Sequence, residues 1–358
     1  MSRRQRGLSL IELMIAMVTG LLVVGAAATA FVSNQRSTET GIALAEVQAR
    51  ARLALDELAA GIRSAGYIGC AGAIAAAPAV PPNRNASGAA PTDWRPIELF
   101  RVEDAGWKPV APAGYTPPVQ GVGRPISGHD ALLLEGGFLQ GVAVQGTHAD
   151  GGAVTVQRNY PGLESGAMGL ISDCAGAEAF FIAGIDPLAD GAVRLDTRAP
   201  LLGAYTPQAA FPQATRVMPY RRALYYIGDT ARRTPRGEPV HALYEHLFPF
   251  DGTDPIEIAS GIESIQLRAR QRNPSGSSRE LSLLHPEFDP ARIVGVRLGL
   301  LVSSGALHED APPKRYPVLG NAIVAGASDG PGYPDDARIR RTFERTVMIR
   351  NRDSRRTP

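Results

Sequence analysis

The sequence of 358 residues lacks the short motifs that mark the common enzyme classes. It contains no Walker A sequence, no G-x-S-x-G elbow, no C-x-x-C pair and no H-E-x-x-H helix. Its formal net charge of +2 is too small to favour nucleic acid as a direct partner. We therefore expect a protein that is not an enzyme, carries no cofactor and binds no nucleic acid directly.

Residues that could hold a metal ion are also few. Among the six histidines only His241 and His246 are close together, and this spacing on a predicted strand places them on opposite faces. Two acidic loops lack the oxygen-ligand spacing of a known calcium loop. Their residues are Asp251–Asp254 in the first and Asp329, Asp335 and Asp336 in the second. We expect no metal site and interpret both loops as solvated turns.

A basic cluster lies near the end of the chain. Its members are Arg338, Arg340, Arg341 and Arg345. Such a cluster could contact DNA or an acidic patch on a partner, but alternating charges are also typical of a solvated edge strand. We expect the solvated edge strand.

Cysteine is nearly absent, since the chain has only Cys70 and Cys174. In an exported domain an even cysteine count predicts one disulfide. The bridge would close a loop of roughly 100 residues, which favours stability in the chain-entropy view. The alternative is two unrelated buried thiols.

No proline interrupts the first part of the chain before Pro78. Leu8–Val32 is an apolar run of 25 residues whose single charge is Glu12. As a helix it would reach about 37 Å, enough to cross a hydrocarbon layer of about 30 Å. The arginines that precede it predict a cytoplasmic N-terminus and an exported remainder, anchored in the inner membrane.

Three kinds of N-terminal segment fit such a run. A secretory signal peptide needs small residues after the apolar stretch, and Ala26–Ala28 could imitate them. A plain membrane anchor needs no cleavage but gives no reason for Glu12, because a carboxylate inside a membrane span is costly and usually functional. The third kind is a leader that is cut after Gly7, which would free an α-amino group at Leu8. That amine could neutralise Glu12 of a neighbouring subunit and fix its register.

The order of residues favours the third kind. The segment Gly7–Leu13, GLSLIEL, resembles the class III signal of type IV pilins and type II secretion pseudopilins. The resemblance implies cleavage between Gly7 and Leu8 by a prepilin peptidase, N-methylation of Leu8, and a role for Glu12 in filament assembly. One departure is Leu8, where the family usually has phenylalanine.

The helix is predicted to continue beyond the membrane. Leu44, Val47, Ala51, Leu55, Leu58 and Ile62 form one apolar stripe at helical spacing. Gly66 and Gly69 are the expected stop. We expect a leader at 1–7, a membrane and filament-core helix at 8–32, an amphipathic helix at 33–66 and a β-rich head at 67–358. Two helices broken near Ser33–Asn34 are the alternative.

Strand signals begin near residue 95. The Gly/Pro-rich stretch Ala71–Gly128 is expected to hold long loops. The predicted strands are Asp130–Glu135, Gly141–Gln145, Ala153–Arg158, Ala179–Ala183, Ala192–Asp196, Arg221–Ile227, Ala242–Leu247, Ser264–Arg270, Ile293–Val302 and Phe343–Arg350. In Ile293–Val302 the residues Val294, Val296, Leu298, Leu300 and Val302 share a face. A long helix followed by antiparallel strands is an α+β arrangement, the fold of pilins.

Several segments are similar to PilW-type minor pilins of type IV pili, and the similarity extends over nearly the whole chain. They are Gly66–Cys70, Leu170–Cys174, Tyr225–Gly228 followed by Leu243–Glu245, Ala259–Leu267 and Arg340–Arg352. Tyr244-Glu245 departs from the Tyr-Arg of that family.

The resemblance implies a structural subunit that works with other minor pilins and the major pilin. Its head would be periplasmic and would later sit at the pilus fibre or tip. A J-type minor pseudopilin of type II secretion is the alternative within this class. A tip adhesin that binds through Ala71–Gly128 is the alternative from another class.

Overall fold

A computed structural model describes most of the chain. The described residues are 9–69, 95–112, 114–138, 140–147, 152–173, 176–198, 201, 215–249, 253–307, 314–326 and 331–351. Gly7, Leu8, Cys70 and Cys174 lie outside them. The predicted cleavage, methylation and disulfide therefore stay predictions.

Helix α1 is one unbroken helix from Leu10 to Ser64, 55 residues and about 82 Å long. It begins two residues later than predicted because Ser9 caps it, its hydroxyl accepting a hydrogen bond from the Glu12 backbone N–H at 3.3 Å. It ends before Gly66, whose φ of +77° a helix cannot accommodate. The alternative of two helices broken near Ser33 is wrong for the described chain.

The C-terminal half of α1 packs on the head through small and branched side chains. Its buried residues are Ala43, Val47, Ala51, Ala54, Leu55, Leu58, Ala59 and Ile62. The predicted stripe is confirmed except at Leu44, which is half-buried, since the buried face starts at Ala43 instead. The alanines let the helix backbone lie close to the strands beneath it.

The head is built from antiparallel strands. In chain order they are β1 (Ile97–Glu103), β2 (Gly106–Lys108), β3 (Arg124–Pro125), β4 (Asp130–Gly137), β5 (Val142–Thr147), β6 (Ala153–Val156), β7 (Met168–Ser172), β8 (Ala177–Pro187), β9 (Val193–Thr197), β10 (Arg216–Arg233), β11 (Pro239–Leu247), β12 (Ile256–Ser260), β13 (Ile262–Arg272), β14 (Ser278–Leu281), β15 (Ile293–Leu307), β16 (Tyr316–Val318), β17 (Asn321–Ala325), β18 (Gly332–Tyr333) and β19 (Arg338–Met348). A long N-terminal helix with an antiparallel β-sheet domain confirms the α+β prediction.

Strand β10 belongs to two parts of the head. Its first residues, Arg216–Pro219, pair with β5 on one side and β7 on the other. With β6, β9 and β8 these strands close a six-stranded barrel around its own apolar core. The rest of β10 lies between β4 and β11 in the main sheet, in the order β2-β1-β4-β10-β11-β12. The barrel is therefore held to the main sheet by a continuous strand.

A second sheet, β14-β13-β15-β19, packs with α1 and the main sheet around the largest apolar core. A three-stranded sheet, β16-β17-β18, lies beside it, and its β17–β18 pair is parallel. In β15 the core residue at the start is Ile293 rather than Val294, because the pairing with β13 shifts register between Arg270 and Gln271. The predicted common face holds from Val296 onward.

All ten predicted strands occur with shifted ends, and the described residues contain nine others that were not predicted. The long loops predicted for Ala71–Gly128 are interrupted, within the described residues, by β1, a buried strand paired to β4 in the main sheet. Its sequence, IELFRVE, alternates like a strand but follows a Gly/Pro-rich stretch. The remaining unpredicted strands are mostly short pairs whose pairing depends on distant partners.

Candidate functional site

The N-terminal half of α1 projects from the head with its side chains exposed. Every residue from Ser9 to Ile42 is exposed, whereas the buried face begins at Ala43. Leu10 is 77% exposed and Phe31 is 70% exposed. A continuous apolar surface of this kind is unfavourable in water. This stretch is long and apolar enough to cross a membrane.

Two threonine hydroxyls within this apolar half donate hydrogen bonds to backbone carbonyls of the helix itself. The Thr19 hydroxyl donates to the carbonyls of Ile15 and Ala16 at 2.9 and 3.1 Å. The Thr29 hydroxyl donates to Ala26 O at 2.9 Å. Such internal hydrogen bonds are what a hydrocarbon environment requires of a hydroxyl group. The hydroxyls are therefore compatible with burial in lipid or among apolar helices.

Glu12 is the single charged residue of the apolar run Leu8–Val32. It lies in the first helical turn, where the exposed backbone N–H groups favour an acidic side chain. Its backbone N–H is held by the Ser9 carbonyl at 3.1 Å. The carboxylate is exposed, so its environment depends on what surrounds the helix.

A set of polar contacts, here called the helix clasp, joins the packed half of α1 to the head. The Glu46 carboxylate accepts from Gly305 N at 2.9 Å and from Arg50 Nη2 at 2.6 Å. Arg50 Nη1 donates to Ser303 O at 3.1 Å. Glu46 and Arg50 thus fix the helix to the C-terminal part of β15.

The helix clasp continues along β19. Arg345 Nη1 lies 2.6 Å from Asp56 Oδ1, and Asn351 Nδ2 donates to the carbonyls of Arg63 and Ser64 at 3.3 Å each. The helix and β19 run in the same direction, since later helix residues meet later residues of the strand. The packed half of α1 is held from Glu46 to its last turn.

Four charged side chains form a buried cluster under the end of β15, here called the charge quartet. Glu263 Oε2 lies 2.6 Å from Arg340 Nε, and Glu263 Oε1 lies 3.1 Å from Arg338 Nη2. Asp336 completes the ring, 2.6 Å from Arg338 Nη2 and 2.5 Å from Arg340 Nη2. All four side chains are at most 2% exposed. The guanidinium of Arg340 also stacks on Tyr333 at 4.2 Å.

The charge quartet corrects two predictions. Arg338 and Arg340 are not solvated residues of an edge strand, because β19 turns them inward onto Glu263 and Asp336. Asp336 is not part of a solvated turn; burial alone would raise its pKa, but hydrogen bonds from Arg338 and the two guanidinium charges lower it. Asp251 and Asp329 lie outside the described residues.

His241 and His246 lie on opposite faces of β11, as predicted. His246 Nε2 lies 2.7 Å from Thr253 O, on the face of Tyr244. His241 lies on the face toward the largest core, with Asp229 opposite it on β10. Within the described residues no three His, Cys, Asp or Glu side chains are grouped so that they could hold a metal ion.

A third buried histidine, His129, lies near His241 between the main and second sheets. Its Nδ1 is 3.0 Å from Ser264 Oγ, while its Nε2 has no hydrogen-bond partner among the described residues. Burial lowers the pKa of His129 to about 3, and the charges of His241 and Arg101 act in the same direction.

Burial likewise lowers the pKa of His241 to about 4. The Asp229 carboxylate opposes this shift, while three guanidinium groups add to it. The three arginines are Arg338, Arg124 and Arg233. The folded head therefore holds both histidines neutral.

We expect the head to lose stability as the pH falls from about 6.5 toward 4. Above this window neither state is protonated at these histidines. Within this pH window the two histidines bind protons in the unfolded chain but not in the folded one. This difference lowers the free energy of unfolding by about 1.4 kcal/mol per pH unit for each histidine. The expected loss between pH 6.5 and 5 is about 2 kcal/mol for each of His129 and His241. Urea unfolding of the full-length protein in detergent, followed by circular dichroism at several pH values, measures it.

The matched variants are His129→Asn and His285→Asn. The first should remove about half of the acid sensitivity, and the second, at an exposed loop position, should leave it intact. A free energy of unfolding that stays constant between pH 6.5 and 5 in the unaltered protein would contradict the expectation.

Comparison with known families gives one match, at the N-terminus. Residues 2–28 match the prokaryotic N-terminal methylation motif. The matched segment contains Gly7, Leu8 and Glu12 together with most of the exposed apolar helix. The motif supports a pilin-like structural protein with a processed N-terminal leader and a membrane-anchoring helix.

Comparisons over the rest of the chain add little. No curated protein matches the sequence. A type IV-like pilin from Thermus thermophilus is similar at 16% identity, over 52% of this chain and 84% of that one, with a TM-score of 0.18. A likeness of this size carries no argument about the head.

Proposed function

We propose that this chain is a minor pilin, a structural subunit that primes or caps the assembly of a type IV pilus and has no catalytic role. The observation that carries the proposal is Glu12, a lone carboxylate in the first turn of an exposed apolar helix, five residues after Gly7. Such a carboxylate is costly in a membrane unless a partner neutralises it. The α-amine that cleavage frees at Leu8 is that partner in a neighbouring subunit.

In this proposal the helix and the head have different roles. The exposed half of α1 anchors the protein in the inner membrane with a cytoplasmic N-terminus, and later packs among helices in the fibre. The helix clasp carries the periplasmic head. A prepilin peptidase, the other minor pilins and the major pilin are the proposed partners. The segments similar to PilW-type minor pilins favour the pilus over a J-type pseudopilin of type II secretion.

Cleavage is tested by Gly7→Val. A side chain at this position should block the close approach of the peptidase to the backbone, so the variant should remain full-length in the inner membrane. The unaltered protein should begin at a methylated Leu8. N-terminal sequencing and intact mass give both answers, and Gly20→Val, in open space within the same helix, is the matched control. Mature protein that starts elsewhere would refute the assignment of Gly7 and Leu8.

The alternative of a tip adhesin is favoured by one observation. The loop between β2 and β3 exposes Val110 and Val119 at 85% and 86%, while Tyr115 between them is buried. Replacing both valines by serine should abolish surface adhesion and leave piliation unchanged if the loop binds a surface. Removal of the whole stretch Ala71–Gly128 would not be informative, because it contains β1.

A further inference from the structure

The second sheet, β14-β13-β15-β19, buries one face against α1 and, among the described residues, leaves part of its outer face uncovered. Strand β13 alternates between the two faces, since Leu267 and Ala269 lie in the largest core. Arg268 and Arg270 therefore point outward. The small sheet β16-β17-β18 covers one end of the outer face, where it packs on Leu301. The open remainder is here called the arginine face.

Cross-strand pairing defines the charged residues of the arginine face. Arg268 lies opposite Arg297 of β15, and Arg270 lies opposite Glu280 of β14. Residues opposite each other in an antiparallel pair share one face of the sheet. The charged residues of the open face are Arg268, Arg270, Arg272, Arg297, Glu280 and Glu344. Guanidinium groups thus outnumber carboxylates on it.

Both carboxylates of the arginine face are bound by Arg297. Its Nη1 lies 3.1 Å from Glu280 Oε2, and its Nη2 lies 2.7 Å from Glu344 Oε2. The hydrogen bond from Arg297 lowers the pKa of Glu344, so this carboxylate stays ionised at neutral pH. Within the described residues neither carboxylate lies at salt-bridge distance from another guanidinium group of this face.

Arg268 and Arg270 have no carboxylate partner in the described part of the chain. Arg268 Nε donates to Leu319 O at 2.8 Å, and Arg270 Nε donates to Ser278 Oγ at 2.9 Å. Both acceptors are neutral, and both arginines are half-buried. The sheet therefore holds the two guanidinium groups in place without compensating their charge, and their Nη groups remain as donors.

The spacing of these two arginines fits one kind of ligand. Residues two apart along a strand lie about 7 Å apart on the same face. Alternate side chains of an extended peptide have the same separation. An extended segment with acidic residues at alternate positions, laid along β13, would thus place one carboxylate at Arg268 and one at Arg270. Arginine binds carboxylates strongly, through two parallel hydrogen bonds.

The other residues of the arginine face favour a protein partner over a nucleic acid. Met348 is 46% exposed and shares the face with Arg270, since both lie opposite Gly295. Arginine and methionine are enriched at protein–protein interfaces. Glu280 and Glu344 would repel a continuous phosphate backbone, whereas a peptide with isolated carboxylates can avoid them.

We propose that the arginine face is a docking surface for an extended acidic segment of a partner protein, with carboxylates at alternate positions bound by Arg268 and Arg270. The assignment of this partner to the filament rests on the proposed function. The preference for the acidic segment rests on the arginine face alone.

Binding of short peptides to the full-length protein in zwitterionic detergent tests the proposal. Ligand-observed saturation-transfer NMR at low salt compares acetyl-Thr-Glu-Thr-Glu-Thr-amide with the peptide that has glutamine in place of both glutamates. We expect the glutamate peptide to bind about tenfold more tightly, as two favourable ion pairs predict. The isomer with adjacent glutamates should bind about threefold less tightly than the alternating peptide, because only one of its carboxylates faces the sheet.

Variants of the two arginines separate charge from structure. The double variant Arg268→Gln with Arg270→Gln should abolish the preference for glutamate. The double variant with lysine at both positions loses the same Nε hydrogen bonds but keeps both charges, so it should retain a preference of at least about threefold. The matched control is Arg232→Gln, which removes a 53% exposed arginine that pairs with Glu257 on the main sheet. It should leave the tenfold preference unchanged.

Equal binding of the glutamate and glutamine peptides would overturn the proposal, as would a preference that survives the double glutamine variant. Tighter binding of the thymidine trinucleotide TpTpT, which also carries two negative charges, would overturn it in favour of a nucleic-acid partner. Peptide binding as expected, combined with no effect of Glu12 on assembly, would instead reject the proposed function and keep the docking surface.

Discussion

Replacement of Glu12 by leucine is expected to leave membrane insertion and cleavage intact and to keep the protein out of filaments. Removing a charge from the apolar half of α1 makes residence in the bilayer easier, not harder. In the filament, however, the α-amine of a neighbour would be left buried without a partner. An unpaired buried charge costs about 3–5 kcal/mol, so incorporation should fall by at least about a hundredfold. Immunoblotting of the membrane and sheared-filament fractions measures both quantities.

Glu39→Leu is the matched control for this experiment. It removes the same charge from the same helix beyond the apolar run, where Gln35 Nε2 donates to the carboxylate at 3.2 Å. It should enter filaments at the normal level. If the Glu12→Leu variant is found in filaments as often as the unaltered protein, Glu12 has no role in register.

Removal of one member of the charge quartet is expected to destabilise the head by about 3–5 kcal/mol. In Arg340→Met the carboxylates of Glu263 and Asp336 keep only Arg338 as a buried cationic partner, and the stacking on Tyr333 is lost. A loss of this size is a large part of the roughly 5–15 kcal/mol that stabilises a typical domain. Urea unfolding of the full-length protein in detergent measures it.

A double variant separates the charge effect from the loss of packing. Arg340→Met combined with Glu263→Gln removes one charge of each sign, and it should cost less than the sum of the single variants. The control is Arg297→Met on the neighbouring strand, whose guanidinium is 40% exposed and pairs with Glu280 and Glu344. It should cost no more than about 1 kcal/mol. Similar losses for Arg340→Met and Arg297→Met would contradict a special role of the quartet.

The helix and much of the sheet could be predicted because their signals are local. The absence of proline and the spacing of Val47, Ala51, Leu55 and Leu58 define a helix without knowledge of the head. Alternation in Ile293–Val302 likewise predicts a strand, although not the register shift that turns Ile293 rather than Val294 into the core. Closure of the barrel could not be predicted from the sequence, because it depends on β10 pairing with both β5 and β7.

The charged sites were harder to predict, because the partners of each charged side chain come from distant parts of the sequence. Arg338 and Arg340 alternate as they would on a solvated edge strand, and only the approach of Glu263, about 75 residues earlier, makes them buried partners. The arginine face likewise depends on the pairing of β13 with β14 and β15, which brings Glu280 and Arg297 beside the arginines of β13. Glu12 was found from sequence because its signal, one acid in an apolar run, is entirely local.

The helix clasp has a mechanical consequence. In the proposed filament a load would act along the axis of α1, and contacts from Glu46 to Ser64 lie side by side over about 27 Å of that axis. Such a load acts in shear, so the packed alanines, the Arg50 and Arg345 contacts and the last turn of the helix must yield together rather than one after another. These contacts transmit tension from α1 to the head in addition to the peptide chain that follows Ser64, and slippage by one helical turn would break every contact of the clasp at once.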